Sequence, residues 1–120
     1  MMEIRVQIPV QPPAAFWSEM LEQFASRHAT QWTWNKEHSS MVYRRQKDGP
    51  HIEVWVRNHE SGFPHVCMSL NGNPPQGAIP EVAVRKMRKV MQEHLTDIVM
   101  ELMEHGIDQV LNALEEGLGL

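Results

Sequence analysis

Apolar and polar residues alternate at the start of the chain, and this alternation predicts a half-buried strand. The apolar positions are Ile4, Val6, Ile8 and Val10. Successive side chains of a strand point to opposite faces, so this spacing gives one apolar and one polar face. Two prolines end the pattern, and the second, Pro13, suits the first turn of a helix.

A helical period follows and predicts a helix over roughly residues 13–28. Its apolar residues recur at intervals of three and four positions, at Phe16, Trp17, Met20, Leu21 and Phe24. The other positions are mostly polar, which is typical of a helix that buries one stripe against a core.

Four short segments after this helix have the composition of strands. They are "QWTWNKEH", "SMVYRRQ", "HIEVWVRN" and "PHVCMSLN". The turn-forming segments "KDGP" and "NHESGF" separate the later ones, so successive strands should pair antiparallel as a meander. A second helix is predicted from Pro80 to about residue 116, with Gly106 as a position where it could bend or restart.

The alternation within the strands assigns a core face and a polar face to the sheet. The core face should carry Ile52, Val54, Val56, Val66, Met68 and Leu70, together with Trp32 and Trp34. The polar face should carry His51, Glu53, Trp55, Arg57, His65, Cys67 and Ser69. We therefore predict a single α+β domain over residues 1–120, with two layers and the order β-α-β-β-β-β-α. One helix is short and N-terminal, and the other is long and C-terminal.

Composition narrows the class of protein. The 120 residues have a hydrophobic content of 42% and a net charge of −4, which indicate a globular chain and disfavour binding to nucleic-acid backbones. One cysteine, Cys67, allows no internal disulfide. The alternating N-terminus does not resemble a signal peptide, and no apolar run reaches transmembrane length. These features predict a cytoplasmic protein with no membrane partner.

The opening segment "EIRVQIPVQPPAAFWSEM" resembles the start of the START/Bet v1-like, helix-grip superfamily. Such chains begin with an alternating strand, a proline-containing break and a helix with an aromatic pair, and a meander and a long C-terminal helix follow. The local similarity covers residues 3–34, and the order of elements extends it to the whole chain.

This resemblance implies a cavity for an apolar ligand between the sheet and the last helix. The side chains expected to line it are Phe16, Trp32, Trp34, Met91 and Leu95. The chain has four predicted strands after its first helix, whereas the superfamily usually has six. We therefore expect bulky side chains to leave a small cavity or none.

The last helix is basic at its start and acidic towards its end, although the helix macrodipole favours the reverse. The segment "RKMRK", residues 85–89, precedes a stretch from 93 to 117 that has seven acids and no Lys or Arg. At about 100° per residue, six of these acids share an arc of about 80°. This acidic ridge consists of Glu93, Asp97, Glu101, Glu104, Asp108 and Glu115.

Like charges four residues apart destabilise a helix, so stability alone does not explain the acidic ridge. Four explanations stand at this point. The ridge is a solvated face, a docking surface for a basic partner protein, or a surface that pairs with the "RKMRK" segment of another copy in a homodimer. The fourth is mimicry of a nucleic-acid backbone, for which the acids of one helix seldom suffice.

Trp55 offers a second candidate surface. We predict it on the polar face of the sheet beside Arg57, with Tyr43 and Arg45 brought there by strand pairing. Trp, Tyr and Arg dominate the energetics of protein interfaces. One alternative is that a loop or a helix end covers the Trp55 side chain, and another is a register shifted by one residue, which would turn Trp55 to the other face. A third is stacking of nucleotides on these aromatic and basic residues, although the acidic ridge would repel nucleic acid.

Two clusters contain the residue types of reactive sites without the full pattern. His94, Asp97, Glu101 and His105 share one side of the last helix, but they span three turns, which is too long for one metal ion. Cys67 and His65 share a strand face without an identifiable third member, so we expect a surface thiol beside an ordinary histidine. No catalytic residue, metal or cofactor is predicted.

Two functions therefore remain. The first is a non-enzymatic protein-binding module, such as an inhibitor, an immunity-type protein, an anti-defence factor or a chaperone. It would dock through the acidic ridge or the Trp55 face. The second is a helix-grip protein that binds an apolar small molecule. The separation of charge along the last helix favours the first.

Overall fold

A computed structural model of the chain describes residues 2–8, 12–43, 51–58, 60, 62–71 and 80–118. The elements, in order, are β1 (Met2–Gln7), α1 (Ala14–Arg27), β2 (Trp32–Asn35), β3 (Ser40–Tyr43), β4 (His51–Asn58), β5 (Pro64–Asn71) and α2 (Pro80–Leu118). This confirms the predicted α+β class and element order. Val10, Arg45, the "KDGP" turn and most of the loop before Pro80 lie outside the described residues.

The five strands form one antiparallel sheet in the order β1-β5-β4-β3-β2. The meander runs from β2 to β5, and β1 then pairs with β5 along its whole length. The β4–β5 register sets Trp55 opposite Cys67 and Val54 opposite Met68, so the two predicted faces are confirmed.

Both helices cover the core face of the sheet. α1 packs mainly on β4, β2 and β3, while α2 packs on α1 and reaches β1 and β5. The largest buried side chains come from every layer, and they include Ile8, Trp17, Met20, Leu21, Trp32, Met41, Val54, Val66, Met68, Met91, Ile98 and Leu102. Removing this apolar surface from water is the main driving force for the fold.

α2 is a single unbroken helix of 39 residues. At about 1.5 Å per residue it is about 58 Å long. The longest dimension of the molecule is 62 Å, against 30 and 23 Å in the other directions. The helix therefore spans the length of the molecule, while the buried ones among its described side chains run from Met91 to Gly106.

The possible break at Gly106 was a wrong interpretation of the sequence. Gly106 is buried and the helix continues through it. The indole ring of Trp17 occupies the space where a Cβ of residue 106 would stand. The glycine is explained by the close approach of two helices, and the helix ends elsewhere.

Candidate functional site

The acidic ridge is exposed at most of its positions. Glu93, Asp97, Glu104, Asp108 and Glu115 all face solvent. None of these five carboxylates forms an ion pair with another of the described residues. As far as the structure describes the chain, these charges are therefore available to a partner.

Glu101 differs from the rest of the ridge. Its Oε2 accepts a hydrogen bond from Nη2 of Arg27 at 3.0 Å, and its Oε1 lies 3.0 Å from Nε2 of His28. Burial raises the pKa of Glu101, but the hydrogen bonds from His28 and Arg27 outweigh burial and hold that pKa below its usual value. Glu101 is therefore a member of the acidic ridge that is not free for a partner, since its side chain ties α2 to the end of α1.

Exposed apolar side chains lie next to the ridge on α2. Met100 is 66% exposed, Leu114 57%, Leu111 50% and Val82 45%. Four of the five large apolar residues recorded as exposed in the described part of the chain thus belong to this one helix. Met91 on the same helix is, by contrast, fully buried.

These side chains define an outer face of α2. Its members, in chain order, are Val82, Lys86, Lys89, Glu93, Met100, Glu104, Ile107, Leu111 and Leu114. At about 100° per residue they share an arc of about 80°, on the side opposite the buried residues. All are exposed except Ile107, which is partly buried.

The outer face was not among the surfaces predicted from the sequence, where only the charged residues of the last helix were considered. The signal was present in the helical period, since Met100, Leu111 and Leu114 fall outside the arc of the buried residues. A second, exposed apolar stripe on the same helix indicates a surface that another molecule covers.

The open face of the sheet holds Trp55 as predicted. Neither described helix covers this face, and Trp55 is half-buried there, beside Arg57, whose side chain is 47% exposed. Arg57 lies 4.0 Å from Glu3 of β1. The face is thus a shallow layer of aromatic and charged side chains over the sheet.

Tyr43 lies on the other face, so the predicted pairing of Tyr43 with Trp55 was wrong. Tyr43 is the strand partner of Trp32, and its ring centroid is 5.1 Å from that of Trp32 and 4.9 Å from that of His94. The two-residue alternation of β3 sends Ser40 and Val42 to the open face and Met41 and Tyr43 to the core.

Cys67 is fully buried beneath the open face, which corrects the expectation of a surface thiol. Burial raises the pKa of the Cys67 thiol, Arg57 opposes this rise, and the pKa remains above its usual value. His65 and Ser69 on the same strand are buried as well. β5 lies between β1 and β4 in the sheet, and Arg57 of β4 and Glu3 and Arg5 of β1 are close enough to Cys67 to affect its pKa.

The residues expected to line an apolar cavity belong to the packed core instead. Trp32, Met91 and Leu95 are buried, and Phe16 and Trp34 pack against them. An open groove of about 460 Å³ lies between α1 and β2. Five of its seven lining residues are polar or charged, namely Ser18, Glu19, Glu22, Lys36 and Ser39, and the other two are Ala15 and Trp34. The groove is open to solvent and does not lie between the sheet and α2, where the cavity for an apolar ligand was expected.

The metal-type cluster of α2 does not converge. His94 packs between Trp32 and Tyr43, whereas Asp97 and His105 are exposed. Across the described ranges, no three His, Cys, Asp or Glu side chains are grouped closely enough to hold an ion. In the same part of the chain, neither α1 nor α2 combines the length and the apolar character that a membrane span requires.

Comparisons with protein-family models, with curated proteins and with solved structures give no match.

Proposed function

We propose that this chain is a non-enzymatic protein-binding module that docks through the outer face of α2. Inhibitors, immunity-type proteins, anti-defence factors and chaperones are the kinds of protein that act in this way. One observation carries the proposal, namely that exposed apolar side chains lie on this helix directly beside carboxylates without ion pairs among the described residues.

An apolar centre with a charged edge is the usual composition of a protein interface. Met100, Leu111 and Leu114 supply the apolar part, and Glu104 and Asp108 supply the edge. Methionine is flexible and polarizable, so it adapts to irregular partner surfaces. The excess of acid on this part of the helix calls for Lys and Arg on the surface that it meets.

Affinity capture with purified protein as bait tests this function. The wild type should retain a partner that the variant Met100→Gln/Leu111→Gln releases. Val6→Gln is the matched control, because Val6 is an apolar residue of β1 that is 38% exposed. A partner that all three baits retain equally would exclude the outer face as the docking surface.

The charge of the ridge is tested by association kinetics with the captured partner. Glu104→Gln/Asp108→Asn should slow association and weaken its dependence on salt, because charges at the edge of an interface act mainly on the association rate. Glu19→Gln/Glu22→Gln is the matched control, since both residues are exposed acids on α1. Equal rates for both pairs would mean that the ridge contributes only net charge.

A second candidate surface is the open face of the sheet. The observation in its favour is that the half-buried Trp55 lies beside Arg57, and these are residue types that dominate binding energy. If a partner binds there, Trp55→Ser should abolish its capture while Met100→Gln/Leu111→Gln leaves it intact.

A further inference from the structure

We infer that the partner of the outer face of α2 is a second copy of this chain, with the two α2 helices side by side and antiparallel. This inference rests on the proposed function, because it names the occupant of the same surface. Three features support it: the order of charges along the helix, the length of the contact and the exposure of its residues.

The order of charges is the first step. Lys86 and Lys89 lie on the outer face near the start of α2, and Glu104 lies on it near the end, with Asp108 at its edge. All four are exposed and have no ion-pair partner among the described residues. Antiparallel pairing sets the basic start of each helix against the acidic end of the other.

A two-fold axis between Thr96 and Asp97 aligns these groups. Lys89 then lies level with Glu104 of the second copy, and Lys86 lies between that residue and Asp108. Each contact occurs twice in the dimer, because both copies contribute the same patch to a two-fold interface. The antiparallel arrangement also sets the positive end of each helix macrodipole beside the acidic end of the other copy's helix.

One apolar pair follows the same alignment, whereas Met100 lies level with Glu93 of the second copy. Val82 lies level with Leu111 of the second copy, and Met100 lies near the middle of the contact. Both would lose their contact with water, at 45% and 66% exposure in the single chain. Parallel pairing would instead oppose Lys to Lys and Glu to Glu along the whole helix, which is unfavourable.

The length of the contact is sufficient for a dimer. From Val82 to Leu111 the helices run side by side for about 44 Å, and a helix is about 10–12 Å wide. The contact therefore buries roughly 1,000 Å² in total, which is about the minimum for a specific interface. The buried face of α2 points away from this contact, so the sheet and α1, as far as the structure describes them, lie on the other side of the helix.

Charge reversal tests the inference in solution. Sedimentation equilibrium should show a reversible dimer for the wild type. Lys86→Glu/Lys89→Glu and Glu104→Lys/Asp108→Lys, as two separate variants, should each raise the dimer Kd by roughly tenfold or more, because like charges then oppose each other. All four substitutions in one chain should restore the dimer, since each contact again joins opposite charges.

Restoration by the fourfold variant is specific to antiparallel pairing. In a parallel dimer each segment meets its own copy, so reversing one segment would leave the repulsion unchanged. Circular dichroism checks that every variant folds, and Lys86→Gln/Lys89→Gln replaces the reversal if Lys86→Glu/Lys89→Glu does not fold. Val6→Gln should leave the Kd unchanged, whereas Leu111→Gln should raise it.

Oxidative cross-linking tests the register. Val82→Cys mixed with Leu111→Cys should give a disulfide-linked pair, and neither variant alone should do so. The native Cys67 is buried and does not compete.

A wild type that stays monomeric at several hundred micromolar, or a dimer that resists both reversals, would overturn the inference. If the wild type stays monomeric, the proposed function is still supported when Val6→Gln retains a captured partner that Met100→Gln/Leu111→Gln releases. It would fail separately if neither self-association nor capture depended on the outer face.

Discussion

Trp17 of α1 packs directly against Gly106 of α2, with the edge of its indole ring in the space that a side chain at position 106 would need. Both residues are buried. Trp17 is also held at its other end, because its Nε1 donates a hydrogen bond to the carbonyl of Pro12 at 3.1 Å. The ring therefore has little freedom to move aside.

Gly106→Ala should destabilise the protein although alanine is the better helix former. The gain in helix propensity is about 1 kcal/mol. Overpacking of a core contact costs about 1–3 kcal/mol or more, and the Trp17 ring cannot easily retreat, so we expect a net loss. Urea denaturation measures the difference. Asn112→Ala, at an exposed position of the same helix, is the control and should leave stability equal or slightly higher.

A companion variant separates the clash from other causes. Trp17→Leu alone should lower stability strongly, because it empties part of the core. Adding Gly106→Ala to Trp17→Leu should then cost little or even help, since the new methyl group enters vacated space. If Gly106→Ala lowers stability as much in the Trp17→Leu variant as in the wild type, the contact with Trp17 is not the reason for the glycine.

More of the fold than of the candidate binding surfaces could be predicted from the sequence. Two-residue alternation predicted β4 and β5 at their observed bounds, and the helical period predicted both helices. These patterns repeat along each element, so one residue that departs from the pattern does not change the prediction. Gly106 shows the limit of these patterns. The sequence alone does not distinguish a glycine that allows a tight contact between helices from a glycine that breaks a helix. Here the distant Trp17 makes the difference, because its ring packs against Gly106.

Tyr43 and Glu101 show the same limit at the candidate sites. The face of Tyr43 depends on the register of β3, and a shift of one residue reverses it. The free or paired state of Glu101 depends on Arg27 and His28, which lie more than 70 positions away in the chain. Long-range partners of this kind leave no periodic signal in a single sequence.

Glu101→Gln should destabilise the protein by about 1 kcal/mol, because it removes the charge that Arg27 and His28 contact. Glu104→Gln is the matched control, since Glu104 is exposed on the same helix without an ion pair among the described residues. It should be neutral or slightly stabilising, because the repulsion between like charges falls. Thermal unfolding of both variants measures the difference, and equal shifts would contradict the structural role of Glu101.

The effect of Glu101 should depend on pH in a defined direction. Its pKa is lower in the folded chain than in the unfolded chain, so its contribution to stability is present above the usual glutamate pKa. That contribution is lost as the pH falls through the lower pKa of the folded state. The stability difference between wild type and Glu101→Gln should therefore shrink below about pH 4.3. A difference that stays constant from pH 7 to pH 3 would mean that charge is not its source.

Cys67 should react slowly with thiol reagents in the folded protein. The side chain is fully buried, and its raised pKa keeps the thiol protonated, while the thiolate is the reactive form. Labelling with iodoacetamide at pH 8 should be at least about 100-fold slower than in urea. Because the pKa is raised in the folded state, stability should also fall as the pH rises past the usual thiol pKa. Fast labelling of a protein that is folded by circular dichroism would contradict this burial.

Asn58, the last residue of β4, caps the N-terminus of α1 although it lies far from it in the chain. Its Oδ1 accepts a hydrogen bond from the backbone N–H of Ala14 at 2.9 Å, and Pro13 at the helix start provides no side-chain cap of its own. Asn58 thus replaces the local Ser, Thr or Asp that usually fills this role.

Asn58→Ala should lower the free energy of unfolding by about 1 kcal/mol, the usual effect of losing a helix N-cap. Asn58→Asp should keep most of that stability, because a carboxylate accepts the same hydrogen bond and its negative charge suits the positive end of the helix. Urea denaturation of the two variants, each compared with the wild type, measures both effects. Since only the acceptor distinguishes Asp from Ala here, an equal loss in both would show that Asn58 supports β4 rather than α1. A larger loss at low pH for Asn58→Asp would follow from protonation of the new carboxylate, which weakens it as an acceptor.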